Sequence, residues 1–356
     1  MPRKSVRLTP KNRKRTTRKS KGGKSNFPSV FTTVLIFSIS ALFLSGYLLY
    51  KLVLVNFAAA DDGFTGYRDR KPIPTLAYIV VNDLHSNSLE LTHLSYTFFD
   101  TATKKLVRYN IPVDLTVDMP GEFGEATLSK AFLIAALDSE KPLEQGRELI
   151  ENTIFKIFGS GVDYFILVSE ENASKLDRFV NEGRVSWLLS RDTLIAPRQL
   201  MSTNMPVRKF YEIGTFMRSL PQDRQVVHDI TSRDLDDASN IDEALRDMSL
   251  ESVISQERAS IAVLNGTDSP GFARFGSRVV QNAGGRVVAV NNSDTLYDES
   301  FVVAQDINSF TARYLAEVFG ISKMVEKEMA FNFSEDEIER ADIVIVLGLD
   351  TASALY

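Results

Sequence analysis

Between Phe27 and Ala60 the only formally charged side chain is Lys51, in a run that begins FPSVFTTVLIFSISALFLSGYLLYKLVLV. A helix needs about 20 apolar residues to cross roughly 30 Å of hydrocarbon, and Val30 to Tyr50 supplies them. A single transmembrane helix within 27–60 is therefore expected, with the residues before it on one side of a membrane and those after it on the other.

The flanks set the direction. Residues 1–24 carry Arg3, Lys4, Arg7, Lys11, Arg13, Lys14, Arg15, Arg18, Lys19, Lys21 and Lys24 and no acid, whereas Asp61 and Asp62 follow the apolar run. Cations beside a span stay in the cytoplasm, so the N-terminus reads as inside and residues 61–356 as outside. Ala58 and Ala60 also form an A-x-A pattern, but a cleaved signal has an apolar core of only about 7 to 15 residues, which favours a retained anchor. The tail over 1–26 is a disordered basic segment that suits anionic lipid. Nucleic acid is not expected as a partner, because no recognition motif follows.

The chain's net charge of −5 conceals an asymmetry: the tail carries +11, so the remainder is acidic at −16. With Cys 0 there is no disulfide framework and no thiol nucleophile, and the three histidines, His85, His93 and His228, have no spacing that suggests a metal site.

Past the span, 61–75 reads as a Gly-, Pro- and charge-rich linker. Leu76–Val81, Leu94–Phe99, Lys105–Ile111 and Val162–Val168 read as strands. Thr127–Leu137, Leu143–Phe158 and Ala173–Asn181 have helical periodicity, and Gly159 and Gly161 stop the second of these. Strands interleaved with helices on this scale mean a layered α/β domain, over 76–230.

The phrases VVNDLHSN, FFDTATKKL, NIPVDLTVDMPGEFG and GSGVDYFILVSEENASKLDRFV within Tyr78–Asp192, with Asn204–Ile230, resemble the LytR-CpsA-Psr (LCP) domain of bacterial envelope proteins. The resemblance implies transfer of a glycopolymer from a polyprenyl-pyrophosphate carrier to peptidoglycan or another envelope acceptor. It also implies Arg forks on the pyrophosphate and a divalent cation, Mg, held by carboxylates. At the matching places this chain has Glu90 and Thr92 for one Arg–Asp pair and Val113 for a second Arg, and only Asp114 and Asp83 remain as catalytic candidates. Lys104, Lys105, Arg108 and Arg147 are the cations nearby in sequence that could rebuild a phosphate pocket.

Residues 231–258 read as an acidic, solvated linker, with an amphipathic helix over Ile241–Ile254 through Ile241, Leu245, Met248 and Val253. Beyond it, 259–356 alternates strand and helix: Ile261–Leu264, Gly271–Ala283, Arg286–Val290, Phe301–Ala304, Asn308–Phe319 and Ile343–Leu347. The order β-α-β-β-α-β predicts a small split-βαβ sandwich. VLNGT, PGFA, NNSD and IVIVLGLD are similar to the LytR-type C-terminal domain that accompanies LCP domains. NGTDSPG lacks the Lys and glycine spacing of a phosphate loop and reads as a tight strand-to-helix turn.

Two readings follow. In the first, the protein is a membrane-anchored, extracytoplasmic module of cell-wall assembly that has lost the Arg set and catalyses nothing, with glycopolymer, peptidoglycan or envelope proteins as partners. In the second it is a divergent transferase of the LCP type.

Overall fold

The computed structural model describes residues 30–54, 73–84, 86, 88–137, 140–190, 200–248, 252–330, 333 and 335–356. The basic tail, the A-x-A pattern, nearly all of the 61–75 linker and His85 lie outside the described residues. The chain divides into two compact units, Met1–Lys51 and Leu52–Tyr356.

The first unit holds most of helix α1, Val30–Leu54, 25 residues long. Its side chains are described over 32–47, and all are exposed, Phe37 and Leu42 by 79% and 75%. Among the described residues, no helix is long and apolar enough to cross a membrane.

The second unit is built on two sheets. β1 (Thr75–Val81), β2 (Leu91–Asp100) and β3 (Lys105–Asn110) form an antiparallel meander. β6 (Tyr164–Ser169), β7 (Met201–Thr203) and β8 (Gln225–Asp229) complete six strands in the order β7-β6-β1-β2-β3-β8, with β6 parallel to β1 and β8 parallel to β3. Every residue of β1 is buried, which explains its unbroken apolar run: a strand covered on both faces needs no alternation. Ala77, Ile79 and Val81 enter the core of one face, and Leu76, Tyr78 and Val80 the core of the other.

The ribbon β4 (Thr116–Met119) and β5 (Gly124–Thr127) lies on the first face with α2 (Ala131–Ala135) and α3 (Pro142–Phe158). Gly159 ends α3 in the left-handed region at φ 60, its N–H donating to the Phe155 carbonyl at 2.7 Å. α4 (Glu170–Glu182) and α5 (Val207–Ser219) cover the second face, with Trp187 packed edge-on against Phe179 of α4 and Phe210 of α5.

The region read as a solvated linker is structured. It contains α6 (Ser232–Asp236), α7 (Ser239–Met248) and α8 (Ser252–Glu257). Ile241, Leu245 and Met248 of α7 are buried in the first core. The amphipathic periodicity thus marks packing against the sheet domain; Glu243 and Asp247 are exposed, while Asp242 pairs with Arg278 of the second sheet domain. Toward the end of the expected helix, Val253 is 40% exposed and Ile254 is buried instead.

The second sheet comprises β9 (Ser260–Asn265), β10 (Arg286–Asn292), β11 (Phe301–Ala304), β12 (Lys323–Glu326) and β13 (Ile343–Leu347), in the order β10-β9-β13-β11-β12. Helices α9 (Phe272–Asn282) and α10 (Phe310–Val318) make the two crossovers, and α11 (Glu337–Arg340) and α12 (Leu349–Leu355) flank β13. The split arrangement expected from element order is therefore corrected. β9 lies directly beside β10 and β11 directly beside β12, both pairs parallel, and β13 enters between the two units. The short strand β12, with one exposed and three partly buried residues, has no apolar signature and was not expected.

The two sheet domains share side chains. Phe155 leaves the face of α3 that carries Ile150, Ile154 and Phe158 and joins the core of the second domain, 5.6 Å from the ring of Phe275.

Candidate functional site

Because β1 and β3 both run antiparallel to β2, they finish at the end of the sheet where β2 begins. Asp83, Glu90, Thr92, Val113 and Asp114 all emerge there, as their places in the chain require. Asn82 organises the loop: its Oδ1 accepts the N–H of Asp83 at 2.8 Å and of Glu90 at 3.1 Å, and its Nδ2 donates to the Ser88 carbonyl at 2.8 Å. The Thr92 hydroxyl donates to the Val80 carbonyl. Polar side chains in the first strand-to-strand loop are thus engaged in shaping it.

The two acid candidates part company here. Asp114, exposed, lines an open cleft of about 1200 Å³ between the two sheet domains, and Asp83 does not. The cleft wall carries six carboxylates, Asp114, Asp118, Glu125, Asp234, Asp236 and Asp242, against four cations, Lys156, Arg246, Arg274 and Arg278. Two of the cations are held structurally. Arg278 grips Asp242, and Lys156 donates to Asp118 Oδ2 at 2.7 Å and to the main-chain oxygen of Tyr356 at 2.6 Å. Asp234 is held below the usual carboxylate range by hydrogen bonds from the Thr231 hydroxyl and main chain, despite opposing desolvation.

The cations proposed from sequence to rebuild a phosphate pocket do not reach Asp114. Lys104 and Lys105 sit at the β2–β3 turn, the opposite end of the sheet, where Lys104 takes φ 54. Arg147 pairs with Glu151 at 2.6 Å and lies 4.6 Å from the Phe165 ring centroid. Arg108 points to the α4 face, donating to Asn181 Oδ1 at 2.8 Å and to the Val180 carbonyl. The cleft's own cations are Lys156 at the end of α3 and three arginines from α7 and α9, helices more than a hundred residues further along; only their shared exposure to one gap joins them to Asp114.

His93 and His228 are separate too, His228 stacking on Tyr109 with centroids 5.4 Å apart. Among the described residues no group of three or more His, Asp or Glu is placed to hold a metal ion. The turn after β9 satisfies itself: Asn265 Oδ1 accepts the Thr267 N–H and hydroxyl, Asn265 Nδ2 donates to the Ser269 carbonyl, and Gly266 donates to the Leu347 carbonyl at 2.8 Å. A Cβ at Gly266 would come 3.0 Å from that same carbonyl oxygen, so the close approach itself explains the glycine.

Two parallel βαβ units sharing an inserted strand place 259–356 in the α/β class. Residues 258–350 match the family model described as LytR cell envelope-related transcriptional attenuator, which covers most of the second sheet domain. No curated protein matches the chain. Among solved structures, the chain is similar to the LytR-CPS2A-psr family protein YwtF (TagT) of Bacillus subtilis with bound octaprenyl pyrophosphate lipid, at 12% identity and TM-score 0.32, over 50% of this chain and 90% of that one. It is also similar to B. subtilis TagV, at 10% identity and TM-score 0.33 over 45% and 85% of the two chains. A third likeness is to B. subtilis TagU, at 10% identity and TM-score 0.32 over 49% and 96%.

Proposed function

We propose that this is a bitopic cell-envelope protein whose N-terminus is cytoplasmic and whose residues 61–356 form an extracytoplasmic module of wall assembly, binding rather than transferring glycopolymer. The LytR-type C-terminal domain supports the envelope setting, and the LCP-like phrases of the first sheet domain support the link to polyprenyl-carried glycopolymer. The support for the anchor is the sequence itself, an uncharged, largely apolar run from Phe27 to Tyr50 that could be drawn into a spanning helix. Apolar side chains all round such a helix suit lipid, and the flanking cations suit the cytoplasmic leaflet.

The observation that carries the non-catalytic reading is the charge around Asp114. A pyrophosphate needs converging cations, and this cleft presents an excess of carboxylates with two of its cations already engaged. Transfer of glycopolymer to peptidoglycan, with Asp114 holding Mg, is the second reading; the place of Asp114 on an open cleft of about 1200 Å³ favours it.

The test is calorimetric titration of a polyprenyl pyrophosphate into the full chain in detergent, with and without magnesium, for wild type and Asp114→Asn. The expected result is no magnesium-dependent binding in either. Magnesium-dependent binding that disappears in Asp114→Asn would replace the binding module with the transferase.

A further inference from the structure

A second cavity, of about 540 Å³, lies on the other side of the first sheet, walled by α4 and floored by β1, β2, β3 and β8. It shares no residue with the cleft at Asp114. Its volume falls in the range of roughly 300 to 1,000 Å³ in which small ligands are held.

The floor contains an unmet hydrogen bond. Ser95 is 1% exposed, lines the cavity, and its hydroxyl has no partner among the described residues. A buried hydroxyl without a partner is costly, and such groups are rare in folded proteins unless something else meets them. Beside it, the Arg108 guanidinium is fixed by Thr97, Asn181 and Val180, which occupy three of its five N–H groups and leave two. Asp177 and Glu170 of α4 present acceptors across the cavity, and Tyr78 and His93 form an aromatic edge with ring centroids 5.8 Å apart.

The charge of this lining selects the ligand class. Arg108 faces two carboxylates, and burial together with the Arg108 charge holds the His93 imidazole below its usual range, against the opposing pull of Asp177, so the ring is neutral at neutral pH. A phosphate would meet a net negative wall, and a cation would meet Arg108. A neutral ligand bearing several hydroxyls avoids both, because each hydroxyl can accept from Arg108 or Ser95 and donate to Asp177 or Glu170.

We propose that this cavity binds the ring of a neutral sugar, with Ser95, Arg108 and Asp177 as its hydrogen-bonding partners and Tyr78 and His93 as its apolar edge. The site is independent of the reading of Asp114, since no variant below touches that cleft.

The experiment is saturation-transfer NMR on the full chain, in a detergent without a sugar headgroup, with glucose, N-acetylglucosamine and inorganic phosphate as probes. Asp177→Ala removes an acceptor from an outward helix position. Val227→Trp, at a residue 56% exposed at the rim, narrows the mouth without entering the core. The expected result is transfer to ring protons of at least one sugar and no competition by phosphate. Both variants, folded by circular dichroism, should weaken that sugar at least about tenfold. No transfer to either sugar from the folded wild type overturns the proposal. So does sugar binding that phosphate displaces, or that survives Val227→Trp unchanged.

Discussion

Arg278 on α9 holds both carboxylate oxygens of Asp242 on α7 at 2.7 Å, while its terminal nitrogens donate to the carbonyls of Lys156 and Ile157 at the end of α3. One guanidinium therefore ties the C-terminal domain to a connecting helix and to the negative end of a helix dipole in the first domain. Asn282, one turn further along α9, donates to the Phe158 carbonyl and to Asp242 as well.

Arg278→Ala should destabilise the folded chain by about 2 to 4 kcal/mol, because the pair is only 20% and 14% exposed and the substitution leaves Asp242 and two carbonyls short of a partner. Urea denaturation measures it. Arg278→Lys should recover less than half of the loss, since an ammonium cannot span the fork.

Gly146 tests packing against propensity. An added Cβ would sit 2.2 Å from Phe132 Cδ1, and Phe132 is 0% exposed. Alanine gains about 1 kcal/mol of helix propensity in α3, but overpacking a tight core costs about 1 to 3 kcal/mol. Gly146→Ala should therefore be net destabilising by up to about 2 kcal/mol; a higher melting temperature would show that Phe132 moves away freely.

Asp342 anchors the start of β9, its Oδ2 accepting the Ser260 N–H at 2.8 Å and the Ser260 hydroxyl at 2.6 Å. These bonds, hydroxyl first, depress its pKa in the folded state, with desolvation opposing and Lys327 and Arg286 assisting. The unfolded state therefore takes up the proton first as pH falls, so the stabilisation is present above about pH 4 and is lost below it. Wild type should exceed Asp342→Asn in stability at pH 6, and the gap should close between about pH 4 and pH 2 in parallel urea series.

For His93 the linkage has the same slope and a higher window. Its folded pKa is lowered by burial first, then by Arg108, so folding is favoured as pH rises toward about 6.5 and weakened below it. Since Asp177 pulls in the opposite direction, Asp177→Asn should lower the imidazole midpoint further in an NMR titration. A midpoint that rises would contradict the cavity's charge layout.

The proposed topology has a clean assay, because the natural chain has Cys 0. Single cysteines at Ser20 and at exposed Asp268 should react oppositely with a membrane-impermeant maleimide on intact cells: Asp268→Cys labelled, Ser20→Cys labelled only after lysis. Labelling of both or neither before lysis would count against one span in the stated direction.

Local pattern alone determined a good deal of this protein. The apolar run gives α1, the unbroken apolar β1, β6 and β13 announce strands buried on both faces, and Gly159 marks the end of α3, because each of these depends on near neighbours. The motifs VLNGT and PGFA likewise pointed to the LytR-type domain. Other features answer to residues far apart in the chain. β12 has too few apolar side chains to declare itself, and β13 is placed between β9 and β11 by the sheet as a whole. An acidic, linker-like composition did not reveal that α7 would bury Ile241 and Leu245. Arg108, read from sequence as a cation near Asp114, is carried to the opposite face by strand alternation and locked there by α4. Asp114 faces Arg274 and Arg278 only because two domains close around one gap. Hydrophobic spacing encodes which residues leave water; the choice of their distant partners is a tertiary outcome, decided by which surfaces can be buried together.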